Sequence, residues 1–234
     1  MSGACAEHID VSGIPITTAF DVCPERWLDG CRGFVPGAGR EPFAARLRIS
    51  FAAVSSDAPM VSLRGFEPGD AAAVHRWFNN RKATVTLMEQ RTGFSEQDSE
   101  GWVQRAIDEG GEDRKYAILV EGHAEPVGFT ALYGLFRQTA PELGALIGDD
   151  VRGRGVGRRA EALTIAKAFD EFGAHRVYGR IPADNEAAKR VVSSLGWKYE
   201  GTMRSHLARD GEMVDCEVWG VLPDEFRAAT ADLE

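Results

Sequence analysis

The chain has no cysteine pattern, no membrane-length apolar run and no excess of basic charge, and each absence removes a class of function. Its four cysteines are Cys5, Cys23, Cys31 and Cys216. Three lie in an irregular leader and one far downstream, a spacing that gives neither a disulfide framework nor a zinc site, so reduced thiols are expected. No apolar run is long enough for a bilayer span, so no membrane partner is expected. The opening Met-Ser-Gly-Ala-Cys-Ala-Glu-His lacks the basic region and apolar stretch of a secretory signal, and a cytoplasmic location is expected. Lysine and arginine number 27 against 36 acids, a net charge of −9. That is the wrong sign for a general nucleic-acid binder. It serves solubility and is compatible with a cationic acceptor in an acidic pocket. No Gly-Lys-Ser/Thr loop, Ser/His/Asp set, metal-ligand set or internal repeat is visible. What is present is 44% apolar residues in 234, enough for one cored domain with an appendage.

Against this acidic background, four arginines fall within eight residues: Arg152-Gly153-Arg154-Gly155-Val156-Gly157-Arg158-Arg159. Upstream, Glu142-Leu143-Gly144-Ala145-Leu146-Ile147-Gly148 reads as a short buried strand. Downstream, Val156, Leu163, Ala166 and Phe169 recur at helical steps. A strand, a glycine-rich turn and a helix N-terminus form an anion cradle, because glycines let backbone N–H groups approach closely and the first helical turn has unpaired donors. The plainer reading is an arginine-rich surface turn capping a helix. Further on, Arg176–Ile181 reads as a strand, Pro182-Ala183-Asp184 breaks it, and Asn185–Leu195 is a short helix. Asp184 or Asn185 serves as its N-cap, and Gly196 follows at C′. Two closing strands meet at the turn Asp210-Gly211.

The spacing Arg152-x-x-Gly155-x-Gly157, together with the Asn185–Trp197 block and the closing hairpin, resembles the GCN5-related N-acetyltransferases (GNAT). The likeness is to the branch holding ribosomal-protein alanine and spermidine acetyltransferases, and it covers roughly Val61 to Leu222. It implies an α/β (α+β) fold, a mixed sheet of about seven strands flanked by about four helices. It also implies acetyl-CoA as cosubstrate, without a metal, along Ala145, Leu146 and Ile147. The pyrophosphate would lie over Arg152, Gly153, Arg154, Gly155, Val156, Gly157 and Arg158, and Asn185 and Arg190 would add contacts. The acceptor would be an amine of a small molecule (a polyamine, amino sugar or antibiotic) or of a protein N-terminus; a homodimer is left open. The alternative is a GNAT-fold module that holds acyl-CoA without turnover.

Acyl transfer to a lysine-like amine must remove a proton at a cost of about 4–5 kcal/mol at pH 7. Glu142 is the first candidate for the base or the group that orients a water; the plainer reading is a solvated strand-end glutamate. Asp215 suits a structural role or a contact to a cationic acceptor. The sequence departs from the family in its acid. Val192 stands where many relatives carry tyrosine, Ala188 where others carry serine, and Arg180 where some carry glutamate. Ser193, Ser194, Tyr178 or water could substitute. His75 and His123 read as surface or core histidines, and Trp77 and Phe78 as core.

The expected organisation is an irregular extension over 1–59, the acetyltransferase domain over 60–223 and a tail over 224–234. Ala45–Val54 could add a strand. Ser95-Glu-Gln-Asp98 resembles a capping box opening a helix to about Glu109, with Trp102, Val103 and Ile107 inward.

Overall fold

The computed structural model describes residues 59–84, 87, 93–108, 113–135 and 140–231, all within one unit, Arg46–Glu234. The leader, its three cysteines and the Ala45–Val54 stretch lie outside the described residues. In chain order the elements are β1 (Val61–Arg64), α1 (Ala71–Asn79), α2 (Arg81–Thr84), α3 (Glu96–Asp108), β2 (Arg114–Val120), β3 (Gly128–Tyr133) and β4 (Glu142–Ile147). They continue with α4 (Val156–Asp170), β5 (Val177–Pro182), α5 (Glu186–Ser194), β6 (Lys198–Arg209), β7 (Glu212–Val221) and α6 (Pro223–Thr230). No helix among the described residues is long and apolar enough to cross a membrane.

The strands form one sheet in the order β1-β2-β3-β4-β5-β7-β6. Every neighbouring pair is antiparallel except β4–β5. The parallel pair meets only at Glu142 and Tyr178. By contrast, β3 and β4 stay in register over six residue pairs, from Gly128↔Ile147 to Tyr133↔Glu142. The sheet therefore parts beyond the first residues of β4 and β5.

Alternation along the strands sorts the core to two faces. Ala117, Phe129, Ala131 and Leu146 pack with Val74, Trp77, Phe78 and Val103 from α1 and α3. Ile118, Val120 and Val127 pack with Val156 and Ala160 of α4. A third cluster joins α4, α5 and α6 through Ile165, Phe169, Val192, Leu195 and Phe226. The capping box forms: Ser95 Oγ accepts from Asp98 N at 3.0 Å, and Asp98 Oδ2 accepts from Ser95 N at 2.9 Å. Val103 is buried, but Ile107 is 39% exposed and does not face inward.

Two expectations need revision. Helix α4 buries Val156 and Phe169 as expected, but Leu163 and Ala166 are only half-buried; its buried set also includes Arg159, Ala160, Glu161, Ala162, Thr164, Ile165 and Ala168. Thr164 is accommodated by hydrogen bonds to Thr130 Oγ1 at 2.7 Å and Ala160 O at 2.8 Å. The stretch read as a tail from 224 carries most of α6, whose Phe226 is 1% exposed and meets Phe169 edge-on. Gly196 makes room for this helix: at φ +85 it takes a conformation that suits glycine, and a Cβ there would lie 2.5 Å from Glu225 O.

Candidate active site

Where β4 and β5 part, a cleft of about 550 Å³ opens. Glu142, Leu143, Gly144 and Ala145 line one side; Gly179, Arg180, Ile181 and Pro182 line the other. Asn185, Ala188 and Val192 come from α5, Glu161 from α4, and Trp197 closes the α5 side. Beyond Tyr133 the cleft reaches Phe78, Phe94, Trp102, Arg105, Lys115 and Phe129.

The glycine-rich turn follows the far end of β4 and leads into α4. Gly153 and Gly155 have φ of 75° and 78°, and open space surrounds the Cβ position of Gly153. Gly155 is the N-cap of α4 and has no side chain to cap with. Among the described residues the first backbone bond of the helix runs from Arg159 N to Gly155 O at 3.2 Å, so the N–H groups of its first turn have no acceptor within the helix. Gly157 has an ordinary φ, and a Cβ on it would meet Ile147 Cγ1 at 3.5 Å, an ordinary contact. The arginines of the turn, Arg154 apart, are engaged elsewhere in the fold. Arg152 bonds to three carbonyls: Ile147 O at 3.0 Å, Lys82 O at 2.8 Å and Ala83 O at 3.1 Å. Arg158 donates to Ser194 Oγ at 3.1 Å. Arg159 is 5% exposed and donates to Pro59 O at 3.2 Å. Arg154 is exposed.

Glu142 is not a solvated strand end. Arg180 grips it bidentately, Nε to Oε1 at 2.8 Å and Nη2 to Oε2 at 3.0 Å. The hydrogen bond to Glu142 raises the pKa of Arg180, against the lowering effect of burial. Each Glu142 oxygen retains acceptor capacity for a water or an amine. The Tyr178 phenol is pushed up by burial and by the Glu142 charge.

The structure brings Glu142, Ala145 and Asn185 into the cleft and leaves others outside it. Leu146 is 2% exposed and turns into the α1–α3 core, so β4 lines the cleft through Glu142, Leu143, Gly144 and Ala145 only. Val156 is core. Arg190 is exposed and does not line the cleft. Asn185 caps α5 by accepting from Ala188 N at 3.1 Å, which leaves its amide NH₂ available. Val192 and Ala188 do line the cleft, and neither carries a proton to give. Tyr178, Ser193 and Ser194 are not among its lining residues. Asp215 accepts from Ser205 N at 2.8 Å and stabilises the irregularity between Met203 and Leu207, a structural role.

Two residues escaped the sequence. Glu161 is 8% exposed and lines the cleft, and its Oε2 has no hydrogen-bond partner; burial pushes its carboxyl up to about 8. Trp197 also lines the cleft, with Nε1 buried and unpartnered. A glutamate between two alanines on a helix was the available signal.

A family model described as "Acetyltransferase (GNAT) domain" matches residues 61–198. No curated protein matches the chain. Among solved structures, a spermidine N-acetyltransferase from Vibrio cholerae in complex with CoA and spermine is similar at a TM-score of 0.65 and 19% identity, over 71% of this chain and 97% of that one. A GNAT-family acetyltransferase from Bacillus anthracis is similar at 0.62 and 22%, over 71% and 97%.

Proposed function

Since the chain belongs to the GNAT acetyltransferase family, we propose that it is an N-acetyltransferase that uses acetyl-CoA to acylate a primary amine by direct attack on the thioester. The observation that carries this reading is the parting of β4 from β5 beyond Glu142↔Tyr178. It frees one edge of β4 just above a glycine turn rich in open N–H groups. An acyl-CoA arm laid along Gly144 and Ala145 would complete the hydrogen bonding of that edge, with its pyrophosphate at the N-terminus of α4. Gly153, Gly155 and Gly157 would hold it through the backbone, and the Asn185 amide would meet the arm. This reading assigns the arginines of the turn differently: Arg152 and Arg158 shape the site, and Arg154 is the side chain placed to meet a phosphate.

Glu142 supplies the proton acceptor for the amine. The Arg180 fork fixes its orientation and leaves acceptor positions toward the cleft. The amine nitrogen forms its bond to the carbonyl carbon as the C–S bond breaks. The amine proton leaves through Glu142 or a water that it orients, and the thiolate takes a proton from solvent. The domain responsible would span residues 60–223, extended by α6.

The lining favours a small-molecule or N-terminal amine with an apolar body, because Phe78, Phe94, Trp102 and Tyr133 bound the far end of the cleft. Release of CoA thiol from acetyl-CoA, measured against a panel of polyamines, amino sugars, aminoglycosides and short peptides, tests the reading. Acetyl-CoA binding without thiol release from any amine would instead favour an acyl-CoA-holding module, a reading supported by the hydroxyl-free Ala188 and Val192.

A further inference from the structure

The cleft contains two buried polar groups that the fold leaves unsatisfied, Glu161 Oε2 and Trp197 Nε1. Buried polar atoms in native proteins nearly always have a partner, and a missing one points to something that binds. Among the described residues no cation forms an ion pair with Glu161. The ionisable groups that share its cleft are Arg105 on α3, Lys115 on β2, Tyr133 on β3, Glu142 on β4 and Arg180 on β5. Arg180 is committed to Glu142. Helix α5 contributes only Asn185, Ala188 and Val192, and β1 contributes nothing to the lining. On α4 itself, Arg158 turns to Ser194 and Arg159 to Pro59. Burial alone keeps the carboxyl protonated, with no contribution from a neighbouring charge. A neutral carboxyl offers one O–H donor and a carbonyl acceptor.

Resting on the acetyltransferase reading above, we propose that Glu161 contacts the amide-bearing arm of acyl-CoA and couples its binding to a proton: the neutral carboxyl donates its O–H to an amide oxygen of the arm, and an ionised Glu161 must regain its proton before the arm can seat. Seating the arm would remove the little exposure that Glu161 keeps, which further disfavours the charged form. Trp197 Nε1–H is the second donor offered to the same guest.

The test is calorimetric titration of the full chain with acetyl-CoA, which has no free thiol to ionise, at pH 7 and pH 9.5. Wild-type affinity should fall roughly tenfold or more over that interval, since only the protonated fraction is competent. Glu161→Gln cannot ionise, so its affinity should be the same at both pH values. Glu161→Met keeps the bulk and loses the donor, so its affinity at pH 7 should drop several-fold. Equal pH dependence in wild type and Glu161→Gln, or a Glu161→Met affinity at pH 7 equal to wild type, would overturn the proposal while leaving the acetyl-CoA site in place. No binding of acetyl-CoA by folded wild-type protein at either pH would instead overturn the acetyltransferase reading beneath it.

Discussion

Replacing Glu161 with glutamine should stabilise this protein, and the gain should grow with pH. The side chain is 8% exposed, and burial moves its carboxyl from 4.5 to about 8. In the window between those values the folded chain keeps a proton that the unfolded chain releases. The sign follows: the contribution of Glu161 to stability is fully present below about 4.5, falls as pH rises through the window, and levels off above about 8. At 1.36 kcal/mol per unit, the full span is worth about 5 kcal/mol, a large share of a domain's usual stability. Glutamine is neutral throughout and lacks this slope. Urea unfolding at pH 5 and pH 8.5, followed through the fluorescence of the five tryptophans, gives the difference between variant and wild type at each pH. Subtracting the two cancels the other titrating groups. The variant's advantage should widen by several kcal/mol at pH 8.5, up to that ceiling. A constant difference would show that Glu161 is not held as a buried neutral acid.

Three other outcomes follow. Glu142→Gln should slow thiol release roughly 10²-fold if the carboxylate takes the amine proton, while acetyl-CoA affinity by calorimetry changes far less; an unchanged rate from pH 6 to 9 at saturating acceptor would remove Glu142 from the chemistry. Gly157→Ala has room for its methyl and should fold and bind, whereas Gly157→Asp should fold and bind acetyl-CoA at least tenfold more weakly, because its charge faces phosphate; equal affinities would misplace the pyrophosphate. A chain beginning at Pro59 keeps the carbonyl that Arg159 holds and should fold and bind acetyl-CoA like the full chain; circular dichroism showing an unfolded product would assign Leu47, Ile49 and Phe51 to the domain.

The element order was legible because its signals are local. Ala117 and Ile118 alternate to opposite faces, Ser95 and Asp98 cap each other, and Asp210-Gly211 turns with positive φ at both residues. The cleft was legible in part, through Glu142, Ala145 and Asn185. What the sequence hid depends on tertiary packing. Helix α4 is covered by the sheet, α5 and α6, so it has no clean polar stripe, and periodicity found only part of its buried surface, Val156 and Phe169. An arginine's partners also cannot be read from its position, so the sequence did not show that Arg152 meets three carbonyls and Arg158 meets Ser194. The closing helix lacked a pattern strong enough to separate it from a tail, although Pro223 and Glu225 sit where a helix begins.

The three carbonyls around Arg152 have a consequence for the energetics of recognition. A glycine-rich segment would ordinarily lose much conformational freedom on meeting its ligand. Here a guanidinium spans Ile147, Lys82 and Ala83, and the flanking backbone is already set before any ligand arrives. The entropy of ordering is met during folding and drops out of the binding equilibrium. A lysine could not reproduce that planar fork. Its introduction would weaken anion capture without removing a single ligand contact, and the loss would register as a less favourable binding entropy.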